Sequence, residues 1–238
     1  SRLYCYLLML LSNTNEEFSK DETYKWWVNF MKFDKVDLVY FNILAYAEPI
    51  KMLLTHGGIE FNFWMPWDYF KKEWIEAKTD VPFGKLPILI INDQHVLWES
   101  GAIMQFLAKH TNTMPPDDFS CAKAHAIFDA TKDLVFPIDA TVNVRSGEVF
   151  DAEKASLFEN LDQLLGPFAK TLEESGPFLL GNMPYYCDFA LFHHLSILSL
   201  LTVDFQEKHP ALNQFMKEFE KVDGVKEYLN SRPQLTGI

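Results

Sequence analysis

The sequence predicts a two-part chain, an α/β domain of order βαβαββα over residues 31–112 followed by an all-α domain over residues 118–238. Three observations predict it. Short β-branched and aromatic runs of strand character occur only before residue 99. The stretch "TNTMPPDDFS" at 111–120 is a polar, proline-rich break of the kind that separates domains. Beyond it, apolar residues recur only at helical spacing.

The elements follow in order. Val36, Leu38 and Tyr40 alternate with Asp37, Val39 and Phe41 as a first strand, with Tyr40 at its lip. Ala45 to Thr55 reads as a helix that tolerates Pro49 because it lies in the first turn. "IEFNFW" at 59–64 alternates as a second strand, and Tyr69 to Lys78 is helix-like. "LPILII" at 86–91 is a buried strand, and "QHVLW" at 94–98 is its hairpin mate across Asn92-Asp93. Ser100 then caps a helix that runs to His110. In the second half, Ala124, Ile127, Phe128, Thr131, Leu134 and Val135 hold the i, i+3, i+4, i+7 spacing, and Leu157 to Leu172 repeats it. Phe189 to Leu201 is apolar nearly all round, the mark of a central buried helix.

Composition removes several functions. A net charge of −12 and a pI near 5.0 disfavour a nucleic-acid partner, since phosphate binding needs clustered Lys and Arg. Cys5, Cys121 and Cys187 are three, widely spaced, with neither a disulfide framework nor a CxxC zinc pattern, which predicts a reducing, cytoplasmic location. Adjacent His193 and His194 point about 100° apart on a helix and lack a paired ligand, so no metal is expected. No apolar run approaches the roughly 18 residues of a membrane span. Arg2 followed by "LYCYLLMLLSNTN" has the look of a short secretory h-region without an A-x-A-like cleavage site, so residues 1–30 read as an extension outside the fold rather than a secretion signal.

Six motifs then agree in order and spacing: "YFN", "AEPI", "PFGKLPIL", "ESGAIMQFLAK", "GN…DF" and the closing "SRP". From about Val36 onward the chain resembles the cytosolic glutathione S-transferases, most of all the sigma class, which includes haematopoietic prostaglandin D synthase and the lens S-crystallins. The resemblance implies a thioredoxin-like first domain with glutathione as co-substrate and no metal. It implies that Tyr40 donates a hydrogen bond to the glutathione sulfur as the catalytic residue. Leu86, ahead of a cis Pro87, would offer its backbone to the cysteinyl part, with Lys85 adjoining. Ser100 and Glu99 would hold the γ-glutamyl carboxylate and ammonium, and Trp74 and Lys78 the glycine carboxylate. Asp133 would reach the γ-glutamyl group bound by the other subunit of a homodimer, and Asp188 would act structurally, as the capping acid of the buried helix.

Read alone, each residue also has an ordinary role. Tyr40 is then a strand aromatic, Ser100 an N-cap and Glu99 a solvated loop acid. Trp74 and Lys78 are a surface i, i+4 pair, and Asp133 shares a solvated face with Asp129.

The chain departs from the family where the loop after the first strand carries two arginines, for it has Asn42, Ile43, Leu44, Ala45, Tyr46, Ala47 and Glu48. Ile43, Leu44, Tyr46 and Ala140, with the tail around Leu235 and Ile238, are the expected walls for a small apolar electrophile. Ala140 stands where the prostaglandin synthase has a tryptophan. Three readings stand: a transferase conjugating glutathione to apolar electrophiles, a binding or structural protein of the S-crystallin kind, and a glutathione-dependent prostaglandin isomerase.

Overall fold

Strand β1 (Val36–Val39) lies inside a four-stranded sheet of order β2-β1-β3-β4, built with β2 (Asn62–Trp64), β3 (Ile88–Ile91) and β4 (His95–Trp98). The computed structural model describes residues 32–140, 147–202 and 204–232, apart from the side chains of Phe136, Asp139 and Ala140. The expected extension over residues 1–30 and the tail around Leu235 and Ile238 lie outside the described residues.

β2 runs parallel to β1, whereas β3 is antiparallel to both β1 and β4. All four residues of β1 and of β3 are buried, as expected of inner strands covered on both faces. Asp37 is the exception to their apolar run. Burial pushes its carboxyl up, but bonds from Trp64 Nε1 and Asn62 Nδ2, each 2.9 Å, and Lys35 at 3.3 Å outweigh that and hold it below its ordinary value. Asn92 and Asp93 both take positive φ, as the primed hairpin turns require.

Helix α1 (Glu48–His56) starts three residues later than its pattern suggests, with Pro49 in the first turn. The predicted helix over Tyr69 to Lys78 is two short pieces, α2 (Pro66–Phe70) and α3 (Trp74–Ala77), broken at left-handed Lys71. The break lets Tyr69, Phe70 and Trp74 all pack on the patch of Val39, Val81, Ile88 and Ile90, so tertiary contact overrides helix propensity. Helix α4 (Ser100–His110) returns along the sheet with Ile103, Met104, Leu107 and Ala108 buried.

The regular elements of the second half are all helices among its described residues, with one isolated bridge between Phe178 and Gly181 in a turn. They comprise α5 (Asp118–Leu134), which runs on into a π-helical segment Val135–Ala140, and α6 (Gly147–Ser175). α7 (Tyr186–Leu201), α8 (Asp204–Lys208), α9 (Pro210–Phe219) and α10 (Val225–Ser231) follow. Asp117 caps α5 by accepting the Ser120 N–H at 2.9 Å. α7 is buried on nearly every side, and Phe192 stacks on Phe219 of α9 at 4.7 Å. Asp188 accepts the N–H groups of Tyr185 and Leu179, both at 2.8 Å, so it caps α7 and ties down the preceding turn.

From Lys35 on, the described residues form one compact unit. α1 lies against both halves. Its Glu48 and Lys51 are buried as an ion pair of 2.8 Å, the Tyr228 hydroxyl of α10 donates to Glu48, and the Lys51 ammonium sits 3.8 Å above the Phe63 ring. Gly224, at φ 79°, lets α10 begin directly on the end of α1, where a Cβ would meet the His56 Cα at 2.8 Å. Among the described residues no helix is long and apolar enough to cross a membrane.

Candidate functional site

Sheet register brings the predicted residues to one edge. Val39 faces Ile88 across β1 and β3, and Ile88 faces Trp98 across β3 and β4. One step further along all three strands come Tyr40, Pro87 and Glu99. Each strand therefore ends there on a residue singled out from the sequence. Tyr40 is 5% exposed, and its N–H bonds the Trp64 carbonyl at 3.1 Å, which fixes the end of β1 against β2.

The Leu86–Pro87 peptide is cis, with Pro87 buried and Leu86 packed against the Val39 patch. Lys85 is extended and exposed. Glu99 is exposed and held at φ 63°, ψ 119°, a conformation a side chain seldom adopts and one that clusters at ligand sites. Ser100 was expected as the helix cap. Instead it is the first residue of α4, Glu99 holds the cap position, and no side chain caps the helix. The reason is the Glu99 backbone, whose positive φ takes the cap position and so starts the helix one residue earlier than expected.

Trp74 stands edge-on to Phe41 at 5.6 Å, and Phe41 also meets Trp67 at 6.4 Å, so an aromatic group flanks the residue after Tyr40. Lys78 follows α3 directly, its N–H bonded to the Trp74 carbonyl, and its stem lies 3.2 Å from where a Cβ on Gly84 would be. Trp74, Lys78 and the Gly84–Leu86 turn are thus neighbours.

Tyr46 is 41% exposed and lines a narrow crevice with Ala45 and Pro49, with Ser100 and Met104 of α4, with Phe128, Thr131, Lys132 and Val135 of α5, and with Ala190, His193 and His194 of α7. Of the other expected electrophile walls, Ile43 is half-buried and Leu44 belongs to the core. The Ala140 side chain lies outside the described residues. Asp133 is not on this crevice; it borders a groove between α5 and α6, with Ala126, Ala130, Leu164, Pro167 and Phe168. Sequence reasoning passed over Phe41, Phe83, Phe128 and Lys132. Lys132 had a signal, since it adjoins Asp133 and consecutive helical residues point about 100° apart.

Among the described residues cysteine nucleophiles are disfavoured, because burial pushes the Cys121 thiol up and the wholly buried Cys187 thiol well up. Tyr186, wholly buried and paired with His125, and Tyr228 are likewise raised by burial, so neither is poised to ionise. Among the described residues no three His, Cys, Asp or Glu gather to hold a metal ion.

A four-stranded mixed sheet with a cis-proline turn beside the end of its inner strand, continued by a bundle around one buried helix, defines a thioredoxin-like protein with an all-helical second domain. The chain belongs to the glutathione S-transferase family: residues 45–110 match the model of that family's N-terminal domain and residues 133–232 the model of its C-terminal domain. It is similar to Glutathione S-transferase P 10 of Caenorhabditis elegans, 27% identical over 195 residues that cover 82% of this chain and 90% of that protein. It is also similar to the human hematopoietic prostaglandin D synthase, 27% identical over 205 residues covering 83% and 96%. Among solved structures, a sigma class transferase of Fasciola hepatica superposes with a TM-score of 0.72 at 27% identity, covering 84% of this chain and 98% of that one.

Proposed function

We propose that this protein is a glutathione transferase that joins the glutathione sulfur to small apolar electrophiles. The observation that carries the proposal is the row of Tyr40, Pro87 and Glu99 across the ends of three adjacent strands, with Ser100 opening α4 behind it. The cysteinyl backbone pairs with Leu86, the γ-glutamyl group lies over Glu99 and Ser100, and Trp74 and Lys78 hold the glycine end. That placement brings the sulfur to the Tyr40 hydroxyl. The thiol proton leaves to solvent, Tyr40 donates a hydrogen bond to the thiolate, and a sulfur–carbon bond forms as the electrophile's leaving group departs with its electron pair. A thiol of pKa about 8.5 is about 3% ionised at pH 7, and lowering it by about two units makes it roughly 75% ionised.

Titration calorimetry with glutathione, followed by turnover with a chloronitrobenzene, tests the reading. Heat at millimolar glutathione and turnover are expected, and absence of binding would refute it. Binding without turnover at any pH would favour the binding-protein reading, whose support is Tyr46 in place of a loop arginine. Similarity to the human prostaglandin D synthase supports a glutathione-dependent isomerase as a further alternative.

The active form proposed is a two-fold homodimer in the cytoplasm. Phe83 is 76% exposed at a left-handed φ of 56°, three residues before Leu86, and the α5–α6 groove offers an apolar seat. Seating Phe83 of one subunit in the partner's groove would bring Asp133 on the groove's edge toward the other subunit's glutathione, and a two-fold axis repeats the contact. Phe83→Asp should convert a dimer to a monomer by light scattering. A wild-type monomer that turns over would remove Asp133 from the site. Free Cys121 and Cys187 suit the reducing compartment.

A further inference from the structure

The loop after β1 carries no cation, and Tyr46, which stands where the resemblance has an arginine, lines the same crevice as Ser100. The helical half holds one. Lys132 of α5 lines the same crevice, and a Cβ added to Gly101 would lie 3.6 Å from its ammonium nitrogen. The ammonium therefore hangs over the first turn of α4, where outward N–H groups and the positive end of the helix dipole already favour an anion.

Resting on the glutathione reading above, we propose that Lys132 binds the α-carboxylate of the γ-glutamyl group and so supplies from the helical half the charge that the loop lacks. Its present partner does not prevent this. Asp129 lies 2.7 Å away, but the two side chains are 45% and 68% exposed, and a pair so exposed is worth little and exchanges readily for a ligand carboxylate. The Phe128 ring, 5.4 Å from the ammonium, keeps it on the crevice side. Asp133, the next residue, borders the α5–α6 groove instead, so no acid beside Lys132 in the chain competes within the crevice. Tyr40 does not line the crevice. Lys132 consequently acts on the γ-glutamyl end of the ligand and not on the sulfur, which separates it from an arginine that steadies the thiolate.

The experiment compares glutathione with 4-aminobutyryl-cysteinyl-glycine, which lacks only that carboxylate, in calorimetric titrations of the wild type, Lys132→Met and Lys132→Arg. Lys132→Met should bind glutathione about tenfold more weakly, the loss of one charge-assisted contact, and bind the analogue as the wild type does. Lys132→Arg should restore most of the affinity. In turnover, Lys132→Met should raise KM with kcat and the pKa of the bound thiol unchanged. Equal glutathione affinity in the wild type and Lys132→Met, or equal losses for both ligands, would overturn the assignment while leaving the transferase reading intact. Failure of the wild type to bind glutathione at all would overturn both.

Discussion

Replacing Tyr40 with phenylalanine removes one oxygen atom from the end of β1 and nothing else. The ring keeps its contact with Phe41, centroids 5.9 Å apart, and the backbone bond to Trp64 is independent of the side chain, so the fold should be unaffected. Tyr40 is only 5% exposed, which leaves little water to replace a lost donor. If its hydroxyl accounts for a fall of about two units in the thiol pKa, it contributes about 2.7 kcal/mol, inside the range of a hydrogen bond to a charged group. The bound thiolate fraction at pH 7 would fall from roughly 75% to about 3%, and conjugation would slow about 25-fold. Above about pH 9 both forms are largely ionised and the rates at saturating glutathione should converge, while the affinity loss in the variant, by linkage, grows from about fourfold at pH 7 toward about a hundredfold at high pH. Titration of the thiolate absorbance in the two binary complexes measures the shift directly. Equal thiol pKa values, or a rate deficit independent of pH, would refute the role given to this hydroxyl.

Ser100→Ala should weaken glutathione binding by about 1.5–3 kcal/mol in calorimetry, the worth of a hydrogen bond to a charged group, and an unchanged affinity would take the hydroxyl out of the site. Lys51→Met leaves Glu48 buried with the Tyr228 hydroxyl but without its cation, and should lower unfolding free energy in urea by about 3 kcal/mol; a change under 0.5 kcal/mol would mean that the buried pair is dispensable. Burial raises the Asp188 carboxyl to about 7 from an ordinary 3.8, against the pull of the Leu179 and Tyr185 N–H bonds. Since a raised folded pKa favours the fold while the group is protonated, that contribution is full below about 3.8 and is lost as pH rises through about 7. The stability advantage of the wild type over Asp188→Asn should therefore shrink between pH 5 and pH 8, and parallel stability curves would contradict it.

Much of the fold was legible because it is written in local periodicity. The alternation ending at Tyr40, the continuous Ile88–Ile91 run and the all-round apolar Phe189–Leu201 segment each express burial that any sheet or central helix would impose. The Asn92-Asp93 hairpin was equally local, since both residues tolerate the positive φ they adopt. The break at Lys71 was not legible, for it answers to a patch assembled from Val39, Val81, Ile88 and Ile90, residues up to about fifty positions apart. Nor was the start of α4 at Ser100, which depends on the Glu99 backbone and not on capping propensity.

At the site, the sequence by itself determined the residue types and their order: a tyrosine after a strand, a proline before another, an acid and a serine before a helix. Tertiary structure alone decided that Tyr40, Pro87 and Glu99 stand side by side, because strand register couples positions that no local pattern connects. It also decided that Lys132 and Asp133, adjacent in the chain, serve different surfaces. A helix turns each successive side chain through about 100°, and only the packing of α5 against α4, α6 and α7 says which direction meets a crevice and which a groove.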